Sequence, residues 1–208
     1  MSDPQRQRVV IVARTRMGDG VCIGGMIERT GKLVRLMPGN RSWQPADSAF
    51  RIGDIWEVNL RPRPHAKPPH VEDHNAWKAE KAGTIPDLVS FITSKASLMM
   101  GEPAGLFTGR VLQRPGGSGY IDTTRPLPEH SVGFWIPPRD LTLVLVDGKP
   151  KYRLDSPTPF RLAYVGFETP IPIIEAGSLV RLSLARPWMS AEDIAERKRC
   201  SVQLSGWY

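Results

Sequence analysis

The runs Val21–Glu28 (VCIGGMIE) and Lys32–Met37 (KLVRLM) decide the fold. Each is short, rich in β-branched or long apolar residues and bounded by turn chemistry: Met17-Gly18-Asp19-Gly20 before the first, Thr30-Gly31 between them. The second sets charged residues among apolar ones, as a half-buried strand does. The first carries the glycine pair Gly24-Gly25, which inside a strand predicts a bulge or sharp bend. Just upstream, Arg8–Ala13 (RVVIVA) is a continuous apolar run of buried-strand length. The three runs form a β-meander that Pro38 ends.

Downstream, Arg41–Gly53 reads as an irregular excursion, and Asp54–Leu60 (DIWEVNL) alternates cleanly as a fourth strand. Arg61–Pro69 is basic and proline-rich, unsuited to a central strand. His70–His74 then predicts a short fifth strand at an edge. Helical spacing of Leu88, Phe91, Ile92 and Lys95 predicts a helix over Pro86–Ala96, with Pro86 in its first turn and Thr84 as its cap. Gln113–Pro128, centred on Pro115-Gly116-Gly117-Ser118-Gly119, reads as a mobile loop or connection. Strand patterns resume at Val132–Ile136, Leu141–Val146, Lys151–Leu154, Phe160–Val165 and Ser178–Ala185. Asp147-Gly148 between two of them is a hairpin signal. Ala191–Arg199 is polar with helical character, and Ser201–Leu204 closes the series.

The 208 residues are therefore expected to be mostly β with one or two short helices, arranged as two tandem OB-like small barrels packed together. The expected domains are residues 1–80, a helix and Gly/Pro-rich connection over 81–130, and a second barrel over 131–208. A single two-sheet sandwich has the same local pattern and stays open at this level.

The excess of 28 Lys and Arg over 21 Asp and Glu, formally +7, favours anionic partners. Cys22 and Cys200 do not make a disulfide framework and read as free, packed thiols. Polar residues from Met1 to Arg8 lack the apolar core of a signal peptide, and no run reaches the ~20 apolar residues of a membrane helix. The expectation is a cytoplasmic protein with no membrane partner.

The run Val21–Met26, with Gly31–Leu36 and Gly53–Trp56, resembles a bacterial family described as dual OB-containing domains. So does the tail, Arg181–Trp188 leading to Arg199–Tyr208. The resemblance covers nearly the whole chain and is weakest between Lys78 and Gly119. It implies two OB-type barrels and a role in binding nucleic acid or nucleotides, in a bacterial defence or stress setting. It carries over no catalytic or binding residue.

Cations among aromatic rings are what single-stranded nucleic acid requires, because cations track phosphates while rings stack on bases. The candidates are Arg35, Arg41, Trp43, Arg61, Arg63, Lys67, Arg161, Arg181, Arg186 and Trp188. His65 and Arg153 accompany them, and Trp135, Tyr152 and Tyr164 are interleaved. Arg35 and Arg181, each flanked by strand apolar residues, are placed on a sheet face. Of His65, His70 and His74, the pair His70-x-x-x-His74 has the spacing of a helical metal site, but on a strand the two sit two pleats apart, so no metal is expected. The glycine run has no strand before it and no Lys-Ser/Thr after it, so it is not a phosphate loop. Ser205 and Cys22 have no catalytic context, and no cofactor is expected. The predicted function is non-catalytic binding of single-stranded nucleic acid, RNA or DNA, or another polyanion. A protein-interaction or adaptor module and a nucleotide-sensing domain are the alternatives.

Overall fold

The computed structural model describes residues 5–39, 43–156, 158–189 and 198–208. The chain divides into two compact units. The first holds the chain up to Lys67, Val71–Ser97 and Gly166–Glu168; the second holds Pro68–His70, Leu98–Val165 and the chain from Thr169 onward.

In the first unit, β1 (Gln5–Met17), β2 (Gly20–Ile27) and β3 (Leu33–Met37) form the meander. The two-residue β4 (Gln44–Pro45) pairs with β2. β5 (Asp54–Pro62) and β6 (Asp73–Thr84) follow, then the helix α1 (Leu88–Lys95). The sheet runs β1-β5-β6-β3-β2 and closes by pairing β2 with β1. Only β3 and β6 are parallel in this circuit. β1 pairs with β5 through its first half and with β2 through its second, and its register slips between Ile11 and Ala13. The slip lies opposite Gly24 and Gly25, where a bend is expected. A Cβ on Gly25 would meet Val9 at 2.4 Å, so only glycine lets the strands approach this closely. Val9, Ile11, Val21, Ile23, Val34, Leu36, Trp56, Val58 and Leu60 fill the interior. Burying each such side chain contributes roughly 1.5–3 kcal/mol.

Two details differ from the sequence pattern. The fifth strand is not a short edge over His70–His74 but the twelve-residue β6, lying between β5 and β3. Its inward positions include Ala76 and Ala79, which pack on the core without a large apolar signature. The helix is capped by Asp87, whose carboxylate accepts from the Ser90 N–H at 2.9 Å, rather than by Thr84.

The second unit contains β7 (Leu98–Met100), β8 (Leu112–Gln113), β9 (Gly119–Asp122), β10 (Val132–Ile136) and β11 (Leu141–Val146). β12 (Lys149–Leu154), β13 (Phe160–Tyr164), β14 (Ile173–Ile174), β15 (Val180–Leu184) and β16 (Arg199–Trp207) follow. Their order is β14-β11-β12-β13-β16-β15-β10-β7, with β9 bridging β8 and β16. The OB circuit recurs here. A meander, β11-β12-β13, sets its third strand parallel to the last, β16; β16 pairs with β15, and β15 with β10. β10 and β11 together take the place of β1, interrupted by Pro137-Pro138, which lack N–H donors. The Gly177 N–H donates to the Pro137 carbonyl and the Ala176 N–H to Asp140, at 3.0 and 2.8 Å, tying a turn across the break. The interior holds Trp135, Tyr152, Phe160, Leu162, Tyr164, Val180, Leu182, Val202 and Leu204.

The glycine-rich stretch is an ordered hairpin rather than a loop throughout. The Arg161 N–H donates to the Gly117 carbonyl at 2.9 Å, and Gln113 donates to Pro159 at 2.7 Å. Gly117 has φ +86, and a Cβ there would meet the Pro159 carbonyl oxygen at 2.5 Å. Cys22 and Cys200 are free thiols. Among the described residues no helix is long and apolar enough to cross a membrane. The polar insertion expected over Ala191–Arg199 lies outside the described residues, apart from Lys198 and Arg199.

Candidate nucleic-acid interface

Strand alternation sorts the second unit's side chains. Along β12, Tyr152 and Leu154 point into the core, so Lys151 and Arg153 point out. On β13, Phe160, Leu162 and Tyr164 are buried and Arg161 and Ala163 face out. Arg153 and Arg161 are direct cross-strand partners, which sets two guanidinium groups side by side. β16 continues the face with Arg199, Ser201 and Gln203, its inward positions being Cys200, Val202 and Leu204. Tyr120 on β9 pairs with Ser201 and joins the same face.

Tyr120 is flanked by cations. The Arg199 guanidinium lies 4.9 Å from its ring centroid and that of Arg114 lies 5.7 Å away. Trp188 is tied to Arg199 by two backbone hydrogen bonds of 3.0 and 2.8 Å, while its ring is 60% exposed. Arg186 is exposed, and its charge opposes the burial that pushes the Cys200 thiol up to about 11. Arg161 donates to the Gly116 carbonyl at 3.1 Å, and Arg153 pairs with Asp155 at 2.7 Å. The last pair is exposed on both sides, a class of ion pair that contributes little stability.

The first unit treats its cations differently. Arg35 on β3 is largely buried, and its Nε donates to Asp73 at 2.6 Å, with a terminal nitrogen on the same carboxylate oxygen. Arg6 meets Glu57 and Glu80 at 2.9 and 2.6 Å, Arg8 meets Glu28, and Lys81 meets Asp54. The outward side of β1–β3 is itself closed: Val10, Val12, Met26 and Met37 are buried. On the outward side of β5 and β6 the Arg61 guanidinium lies 5.7 Å from the Trp77 ring. Arg63 donates to Asn75 at 2.9 Å and to the Pro38 carbonyl at 3.1 Å. Lys67 and His65 are exposed in the following loop, and Trp43 packs edge-on against Gly20.

The candidates therefore separate. Arg161, Arg186 and Trp188 lie around one region of the second unit, and Arg61, Arg63 and Lys67 around one region of the first. Arg35 is engaged by Asp73, and Arg181 is buried with its guanidinium on Ser205 at 2.9 Å. Arg41 lies outside the described residues. Trp135, Tyr152 and Tyr164 are core rings. His70 and His74 are buried, and His74 Nδ1 bonds to the Glu72 carbonyl at 2.7 Å. Among the described residues no three His, Cys, Asp or Glu side chains gather to hold a metal ion. Sequence reading missed Trp77, Arg114, Tyr120 and Arg199. Only Arg199, beside Lys198 in the basic run before Cys200, carried a local signal.

A family model described as dual OB-containing domain matches residues 7–207. No curated protein matches the chain. Among similar solved structures is one described as "Structural mimicry for functional antagonism", 10% identical, covering 97% of this chain and 92% of that one at TM-score 0.38. Another is "Crystal structure of p204 HINb domain", 10% identical, covering 100% and 98% at TM-score 0.36. A third is "Structure of murine DNA binding protein bound with ds DNA", 8% identical, covering 100% and 98% at TM-score 0.34. Likeness at these scores bears neither on ligand nor on site.

Proposed function

The chain belongs to the dual OB-containing domain family, and from that premise we propose that it is a non-catalytic binding module for single-stranded nucleic acid. One observation carries the reading: the outward face of β12, β13, β16 and β9 gathers Lys151, Arg153, Arg161 and Arg199 beside the Tyr120 ring, which has two guanidinium groups close to it. The cations would follow phosphates; Tyr120 and the exposed Trp188 would stack on bases, at ~1–3 kcal/mol per base. Strands two and three of an OB barrel form its usual ligand platform, and β12 and β13 hold those places in the second unit. DNA and RNA both satisfy this chemistry.

The test is fluorescence anisotropy with labelled single-stranded DNA and RNA oligonucleotides at low salt. Micromolar binding is expected, with log K falling against log salt by ~0.7 per phosphate contact. No binding at low salt, or binding indifferent to charge reversal at Arg161 and Arg199, would overturn the proposal.

A protein-interaction module has a separate observation in its favour. Leu145 is 71% exposed and lies on the β11 edge beyond its short pairing with β14, whose Ile173 is 49% exposed. A stoichiometric partner that survives nuclease treatment and is lost on Leu145→Glu would support that reading.

A further inference from the structure

We propose that the first unit carries its own nucleic-acid contact, centred on Trp77 and Arg61 of β5 and β6 and independent of the second unit's face. This inference rests on the function proposed above. The usual platform is closed in the first barrel, since Met26 and Met37 on the outward side of β2 and β3 are buried and Arg35 is held by Asp73. A contact on this unit must therefore lie elsewhere.

β5 and β6 supply one. Asn59 pairs with Trp77 and Arg61 with Asn75, so these four side chains share the outward face. Arg61 reaches diagonally over the Trp77 ring, and both are half-buried, which holds a flat cation–ring surface in place at little entropic cost on binding. Arg61 Nε is shielded from solvent and meets no hydrogen-bond acceptor among the described residues. The guanidinium is thus not neutralised through this nitrogen, and its charge stays available to a phosphate at the half-buried surface. Arg63 is braced by Asn75 and Pro38 beside it. At the other end of the same face Glu57 and Glu80 are taken up by Arg6, so they do not neutralise Arg61. A ring with an adjacent cation recognises a nucleobase and its phosphate, the combination that single strands present.

Isothermal titration of the full chain with a single-stranded octanucleotide at low salt, a length within the range of about 4–16 nucleotides per OB fold, tests the inference by stoichiometry. The intact chain should take up two octamers. Arg61→Glu and, separately, Trp77→Ala should leave one, and Arg161→Glu with Arg199→Glu should leave the other. Arg61→Glu keeps the ring, so it remains informative if Trp77→Ala fails to fold. One octamer per chain, unaffected by Arg61→Glu but lost with Arg161→Glu and Arg199→Glu, would overturn this contact and leave the proposed function standing. No octamer at all would overturn both.

Discussion

The outward faces of β2–β3 and β12–β13 hold equivalent places in the same strand circuit, yet they have opposite fates. On β2–β3 the outward methionines are buried, and the arginine there is locked to an acid. On β12–β13 the outward positions stay accessible, with two arginines side by side and a third cation two residues away. Net charge does not separate the units, because they share the excess of basic residues almost equally. The difference is where each cation's partner comes from. Asp73, one strand across from Arg35, neutralises it inside the fold; the Arg161 guanidinium donates to a peptide carbonyl, which carries no charge, so its own charge stays available.

The sharpest way to break the comparison is to remove the acid from the first face. Asp73→Ala leaves Arg35 largely buried beside a missing counter-ion and should cost about 3–5 kcal/mol, read as a fall in the denaturant midpoint. Oligonucleotide binding by the folded fraction should hold. Replacing Arg35 and Asp73 together by leucine should recover most of the loss, because the cost lies in the orphaned charge.

Reversing the second face is next in size. In an Arg61→Glu background, which leaves the second face as the binding site, Arg161→Glu with Arg199→Glu should lower oligonucleotide affinity on the order of 100-fold and flatten the salt slope by about 1.4, two phosphate contacts' worth. Thermal stability should change little, since both side chains face out. Unchanged anisotropy would show that the open face is only a wet one.

The hairpin under Arg161 gives a smaller effect. Gly117→Ala forces a left-handed backbone and a clash with the Pro159 carbonyl, so about 1–3 kcal/mol of stability should be lost. Affinity should fall with it, because the same hairpin carries Arg114 and Tyr120.

The smallest effect concerns pH. Burial, aided by Lys32, holds His74 below its ordinary value of 6.5 despite its bond to the Glu72 carbonyl and the nearby Asp73. The unfolded chain then takes up a proton that the folded chain refuses. Its contribution is therefore complete above pH 6.5 and is lost as pH falls through that value toward the lower folded one. Melting temperatures measured across this window should decline on acidification, and His74→Asn should make the decline shallower.

The meanders were legible because inward and outward residues differ in kind along Arg8–Ala13, Val21–Glu28 and Leu141–Val146. β6 was not, because its core-facing positions include alanines and its parallel partner, β3, lies far back in the chain. Gly117 and Gly119 read as loop punctuation, whereas each is where backbone runs hard against Pro159 or the Phe160 ring. Arg161 could be singled out locally as a strand cation. That Tyr120, Arg114 and Arg199 share its face depends on pairings between residues up to 81 positions apart, such as Ser201 with Tyr120. Shorter separations, 38 and 24 residues, were enough to hide Asp73 from Arg35 and Ser205 from Arg181.

The paired prolines between β10 and β11 have a mechanical consequence. Two successive residues without amide protons donate nothing to a ladder, so only bonds to their carbonyls, such as that from the Gly177 N–H to Pro137, cross the break, and strain on one side of Pro137-Pro138 is weakly relayed along the strand. The β10–β15 seam and the β11–β12 ribbon can then loosen at separate rates. Deuterium uptake should divide the second unit into two protection classes at that point, where the single strand β1 keeps its counterpart in one.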